Sequence, residues 1–187
     1  MAVMFQSDFN DRLLPGERIL WTGRPGQGLM LTRNDMFLIP LSLMWFGFTV
    51  FWTYEVTLGE SAAPLFAQIW GGMFMLIGLH FVAGRFVVDA WVRRRIQYAV
   101  TDQRVLVNRS PPFGKFSAVS LAHLPEAQLN ERSDRRGTIR FGPEMALFGR
   151  RQGLGTWSPA LDATPQFLLI DDARRVFDIV QRAAAKP

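Results

Sequence analysis

The sequence predicts a membrane α-helical hairpin plus an α+β domain, and three observations carry that expectation. Two long apolar runs lie close together, Met36 to Tyr54 and Ser61 to Gly84. Short strand patterns separated by turn residues follow from Ile96 onward. The chain then closes on an amphipathic stretch after Asp171 and Asp172. The expected division is a lead-in at 1–35, the hairpin at 36–84 and a strand-rich domain at 85–187 of the 187 residues.

The first apolar run, MFLIPLSLMWFGFTVFWTY, contains no charged residue. The second, SAAPLFAQIWGGMFMLIGLHFVAG, has only Gln68 and His80 as strongly polar side chains. A helix rises about 1.5 Å per residue and a bilayer core is about 30 Å thick, so roughly twenty residues span it. Both runs reach that length. The connecting segment carries Glu55 and Glu60, whereas the outer flanks carry Arg24 and Arg33 on one side and Arg85, Arg93, Arg94 and Arg95 on the other. Basic flanks stay in the cytoplasm, which predicts a membrane protein with both termini on the cytoplasmic side. Trp52, Tyr54 and Trp91 fall where interfacial aromatics belong. The start, MAVMFQSDFNDRLL, lacks a basic region followed by an apolar core, so the hairpin is expected to direct insertion. Ala67, Gly71 and Gly78 share one helical face and allow close packing, first of all against the other span. His80 is the one titratable group in the second span; with no acidic partner in either span, a structural hydrogen bond or an interfacial position fits it better than a proton relay.

In the lead-in, Pro15-Gly16 marks a turn and Glu17 to Gly23 reads as a short strand with Ile19 and Trp21 on one face. Arg24 to Gly28 breaks the chain again, and Asn34 or Asp35 is placed to cap the first span. Beyond the hairpin, strands are expected at Ile96–Thr101, Arg104–Asn108, Phe116–Leu121, Ala127–Arg132, Thr138–Phe141 and Phe167–Ile170, with a further one near Glu144–Phe148. The last helix shows Val176, Phe177, Val180 and Ala184 as an apolar stripe, and Asp171 and Asp172 suit its start.

Composition narrows the chemistry. There is no cysteine, which removes disulfides and thiolate sites. The net charge of +5 comes almost wholly from arginine, the lysines being Lys115 and Lys186. Those arginines are dispersed and accompany no reading motif, so nucleic acid is not an expected partner. No His-Glu-x-x-His, phosphate loop or nucleophile elbow is present, and neither a metal, a cofactor nor an enzymatic activity is expected. Two basic groups stand out. Arg93, Arg94 and Arg95 follow the second span and either fix topology or meet anionic lipid. Arg135, Arg136, Arg150 and Arg151 fall in loops, as solvated turns or as one rim for an acidic protein partner.

Four stretches make a family resemblance. They are LLPGERILWTGRP at Leu13–Pro25, YAVTDQRVLV at Tyr98–Val107, GTIRFG at Gly137–Gly142 and FLLIDDARRVFDIVQRA at Phe167–Ala183. In that order around an apolar hairpin, they resemble the membrane-anchored bacterial pleckstrin-homology (PH) domain proteins. The resemblance implies a PH-like, partly open β-barrel or sandwich of about seven strands, capped by the C-terminal α-helix. It implies a non-catalytic interaction or scaffold module at the membrane surface. Phosphoinositide-binding relatives carry several basic residues around the loop joining their first two strands. Here the connection taken as its counterpart is Thr101-Asp102-Gln103-Arg104, and specific inositide recognition is not expected. The alternative reading is a small membrane enzyme or transport component using His80 or the loops at 142–160.

Overall fold

The computed structural model describes residues 9–32, 34–59, 63–124, 127–142, 155 and 157–185. The expected strand at Glu144–Phe148 and the positions of Arg150 and Arg151 lie outside them. The chain divides into two compact units: Leu29–Asp89, and a second that runs to Gly28 and resumes at Ala90. The expected lead-in is thus shared between the two, up to Gly28 with the strand-rich unit and from Leu29 with the helical unit.

The helical unit contains α1 (Asp35–Leu58), α2 (Leu65–Leu79), one π-helical turn (His80–Gly84) and α3, which begins at Arg85 and continues to Arg93. The second helix therefore runs past its expected end at Gly84, because its apolar part hands over to the amphipathic sequence RFVVDAWVR without a breaker. The two helices are 24 and 29 residues long and apolar enough to cross a membrane. Leu38, Ser42 and Thr49 of α1 are buried, as are Gly71 and Gly78 of α2. A Cβ on Gly78 would stand 2.9 Å from the Phe46 ring, and one on Gly71 3.0 Å from Thr53 Oγ1. Two glycines thus let the helices meet backbone to side chain, as their shared face suggested. The Ser42 and Thr49 hydroxyls donate to the carbonyls of Ile39 and Phe46 at 2.9 and 2.8 Å, which satisfies them without a partner across the interface. Most other large apolar side chains point outward, Met36 (89 % exposed) and Leu65 (71 %) among them.

Asp35 does not cap α1. Asn34 occupies the cap position without a side-chain bond, while Asp35 is buried and pairs with Arg85 at 2.8 Å. The same carboxylate accepts the Thr32 amide (2.6 Å) and hydroxyl (2.8 Å). This clasp joins the two helices at one end.

Among the described residues, the strand-rich unit holds seven antiparallel strands in two sheets. One has the order β1 (Ile19–Gly23), β2 (Ile96–Thr101), β3 (Arg104–Arg109) and β4 (Lys115–Ser120). The other has β5 (Ala127–Glu131), β6 (Gly137–Phe141) and β7 (Gln166–Ile170). The chain ends in α4 (Ala173–Ala184). On β2 and β3, alternation sends Tyr98, Val100 and Val105 to one face and Ala99 and Leu106 to the other. The second face is covered by the lead-in, where Phe9, Leu13 and Ile19 pack on Ala99, Leu106 and Phe116. On the first face Phe167 of β7 is the hub. Its ring centroid lies 4.5 Å from Tyr98, 5.1 Å from Phe141 and 5.5 Å from Trp21, so it joins both sheets. The Tyr98 hydroxyl accepts the Leu168 amide at 3.1 Å, which pairs a buried polar group in the same layer.

The α4 stripe is Ala173, Val176, Val180 and Ala183, with Phe177 and Ala184 half-buried, so it is rotated slightly from the expected one. Asp172 stands at the helix cap position but with φ 46° and no side-chain bond, and the capping role expected of the aspartates is not realised. Asp171 instead lies 3.3 Å from Arg136.

Candidate functional site

Three elements converge at one corner of the strand-rich unit. β1 ends in Trp21, Thr22, Gly23 and leads to Arg24; β7 ends in Ile170 and leads to Asp171 and Asp172; α4 contributes Arg175 and Val176. Between them is a cavity of about 320 Å³, at the lower end of the size range of small-molecule sites, roughly 300–1,000 Å³. Trp21 is fixed in its wall by contact with Phe167. Arg24, Arg175, Asp171 and Asp172 are exposed at the same place. Two guanidinium groups, two carboxylates and an indole face suit recognition of a polar or charged peptide by ion pairing and stacking.

The loop entering this corner is held by backbone contacts. The Gly26 amide donates to the carbonyls of Leu168 and Leu169 at 3.2 and 3.0 Å. A Cβ on Gly26 would stand 2.5 Å from the Leu169 oxygen, so only glycine permits the approach. Arg93 donates to the carbonyls of Gly26 and Gly28. Its side chain is buried, with the whole residue 1 % exposed. Arg93 is therefore a structural residue and does not present its charge at a surface, contrary to the expectation for it. Arg94 is exposed, and Arg95 is half-buried with its guanidinium 3.9 Å above the Trp91 ring.

A second polar cluster lies at the β2–β3 turn. Arg104 donates through Nε and one terminal nitrogen to the two oxygens of Glu17, at 2.9 and 2.8 Å. The Thr101 hydroxyl and the Leu14 amide also donate to this carboxylate, both at 2.7 Å. Burial alone would raise the Glu17 pKa, but the Arg104, Leu14 and Thr101 hydrogen bonds and the Arg104 charge together lower it to about 2. Arg104 is raised in turn, chiefly by its hydrogen bond to Glu17. Elsewhere, burial lowers the pKa of Arg109, which donates to the Phe113 and Ala160 carbonyls.

Arg135 and Arg136, the described members of the other expected group, lie between β5 and β6. Arg135 is exposed in a turn with φ 63°, and its carbonyl accepts the Ala173 amide at 3.2 Å. Arg136 lies near Asp134 and Asp171. His80 sits in the π-helical turn with its ring 5.9 Å from Phe81, and His123 is exposed in a short 3₁₀ helix. Among the described residues no group of three His, Cys, Asp or Glu side chains is arranged to hold a metal ion. The sequence reading missed the cavity, since its wall is assembled from Trp21–Arg24 and Ile170–Val176 by the fold. The Arg24–Gly28 break, Arg-Pro-Gly-Gln-Gly, was the available signal. No family model, curated protein or solved structure matches this chain.

Proposed function

We propose that this is an integral protein of the bacterial cytoplasmic membrane whose PH-like domain works as a non-catalytic interaction or scaffold module at the cytoplasmic face. The observation that carries the reading is the antiparallel pairing of β1 with β2, from Ile19↔Thr101 to Gly23↔Tyr98. The partners precede and follow the helical unit Leu29–Asp89. A chain whose two flanks share one sheet must leave and return on the same side of any membrane it crosses. An even number of crossings follows, and two helices of sufficient length are present. The outward apolar side chains of these helices fit lipid as their solvent. The basic flanks and acidic connection support the cytoplasm as the common side. Sheets of four and three strands followed by a C-terminal helix fit a PH-like domain.

The cavity at Trp21, Arg24, Asp171, Asp172 and Arg175 is the place where this module takes a protein partner. Inositide recognition at the Thr101–Arg104 turn is no part of the proposal, since that turn joins β2 to β3 and its arginine is engaged by Glu17. The test is site-specific photo-crosslinking in living cells. A crosslinker at Arg175 is expected to give a discrete protein adduct in the membrane fraction, lost in the Trp21→Ala variant, whereas one at Asp134 gives none. The same adducts from both positions, or none from Arg175, would count against the site.

A further inference from the structure

The loop Ser110–Gly114 stands beside the start of the resumed strand-rich unit. The Ser110 amide donates to the Arg95 carbonyl at 3.0 Å, and β2 and β3 begin and end together at Ile96↔Arg109. This register brings Phe113 edge-on to Trp91, with ring centroids 6.3 Å apart at 87°. Both rings remain open to solvent, Phe113 at 41 % and Trp91 at 38 %. Pro111 and Pro112 beside them are exposed as well.

The exposed charge beside these side chains is basic, and Asp89, two residues before Trp91, is buried. Arg94 is exposed, Arg95 lies over the Trp91 ring, and Lys115 is exposed with its amine 3.0 Å from the Ala163 carbonyl. Residues 90–101 and 103–124 contain no acidic side chain. Asp162, which lines a small cavity with Arg109 and Lys115, is paired with Arg140. Exposed aromatic rings within a basic margin match an anionic bilayer surface, where indole and phenyl groups settle at headgroup depth and arginines meet lipid phosphates.

We propose that Phe113 and Trp91, flanked by Arg94, Arg95 and Lys115, form a bilayer-docking surface that dips into the anionic leaflet. The proposal deepens the membrane reading above and rests on it. It adds a second lipid contact, made by the strand-rich unit itself, and names its chemistry. Docking by this surface requires both parts: the rings supply apolar burial and the basic groups supply attraction that depends on anionic lipid and falls with salt.

The experiment uses the full chain in vesicles of phosphatidylcholine and phosphatidylglycerol. The absence of native cysteine permits single labels. A bimane is attached at Gly114→Cys, where an added Cβ meets nothing closer than 3.6 Å, and quenching by brominated acyl chains is read. Labels at Leu43→Cys in α1 and Arg182→Cys in α4 serve as references. The proposal expects strong quenching at 43, clear quenching at 114 and none at 182. It also expects the signal at 114 to fall by more than half with Phe113→Ser, or with Arg94→Ser and Lys115→Ser together, or in pure phosphatidylcholine. Quenching at 43 with none at 114 would overturn the docking surface and leave the membrane reading standing. No quenching at 43 would overturn both. Quenching at 114 that is indifferent to these substitutions and to lipid charge would also contradict the proposal. Near-ultraviolet circular dichroism of the variants checks that they are folded.

Discussion

Glu17 and Arg104, 87 positions apart, form a two-oxygen ion pair whose carboxylate is fully buried. The pair ties the turn after Pro15-Gly16 to the turn between β2 and β3. LLPGERI and TDQR each supply one half of one polar cluster. Arg104 completes the cluster by donating to the Arg12 carbonyl at 2.7 Å, while the Arg12 guanidinium lies 4.6 Å above Phe116.

The first prediction concerns pH. Glu17 has its folded pKa depressed from 4.5 to about 2. A depressed carboxyl contributes stability that is fully present above 4.5 and is lost as pH falls toward 2. At about 1.4 kcal/mol per pKa unit the contribution is about 3 kcal/mol. Glu17→Gln should lose about that much at neutral pH and flatten the acid limb of the denaturation profile between those two values. Chemical denaturation of the full chain in detergent across pH reads both effects. An unchanged acid limb would remove Glu17 from the account.

Arg93 and Arg94 should behave in opposite ways. Arg93 donates to two backbone carbonyls from a buried position, so Arg93→Ala should cost about 2–4 kcal/mol through unpaired carbonyls and a lost charged hydrogen bond. Arg94→Ala should stay within about 0.5 kcal/mol, as an exposed substitution. Gly26→Ala should mimic the Arg93 effect in part, about 1–3 kcal/mol, because its Cβ collides with a main-chain oxygen that cannot yield. Equal midpoints for the Arg93 and Arg94 variants would refute the assignment.

The contrast shows what could be read from the sequence. The positions of β2 to β6 were legible within one or two residues, and the terminal helix was legible as an element, because IQYAVT, RVLVN and TIRF alternate locally. The apolar helices were legible from length and composition alone. Arg93 was not, since three consecutive arginines look alike until a fold brings the Gly26 and Gly28 carbonyls to one of them. The place of Phe9 and Leu13 over Ala99 and Leu106 was hidden for the same reason, as it depends on a contact across the helical unit's insertion. The cavity likewise needs β1 and β7 side by side, a juxtaposition no local pattern encodes.

Phe167 is expected to be the most sensitive core position. Its ring touches Tyr98, Trp21 and Phe141, so Phe167→Ala should cost about 3–5 kcal/mol. Phe167→Leu should cost less, since it keeps most of the volume. Thermal unfolding followed by tryptophan fluorescence measures the difference, and a mild alanine effect would contradict the hub.

In the helical unit, Gly78→Leu should separate α1 from α2, because even a Cβ there meets Phe46 and Thr49 at 2.9 and 3.3 Å. Gly47→Leu, where an added Cβ meets nothing within 4 Å, is the control. Protease resistance of the unit in detergent reads the difference. Equal resistance in the two leucine variants would contradict close helix packing.

The central claim is that the chain crosses the membrane twice and returns to the same, cytoplasmic side. Single cysteines at Arg18, Leu58 and Arg182 test it directly with a membrane-impermeant maleimide in intact and in permeabilised cells. The account predicts labelling of Leu58→Cys in intact cells, and of Arg18→Cys and Arg182→Cys only after permeabilisation. Labelling of Arg18→Cys and Arg182→Cys from opposite sides would contradict it.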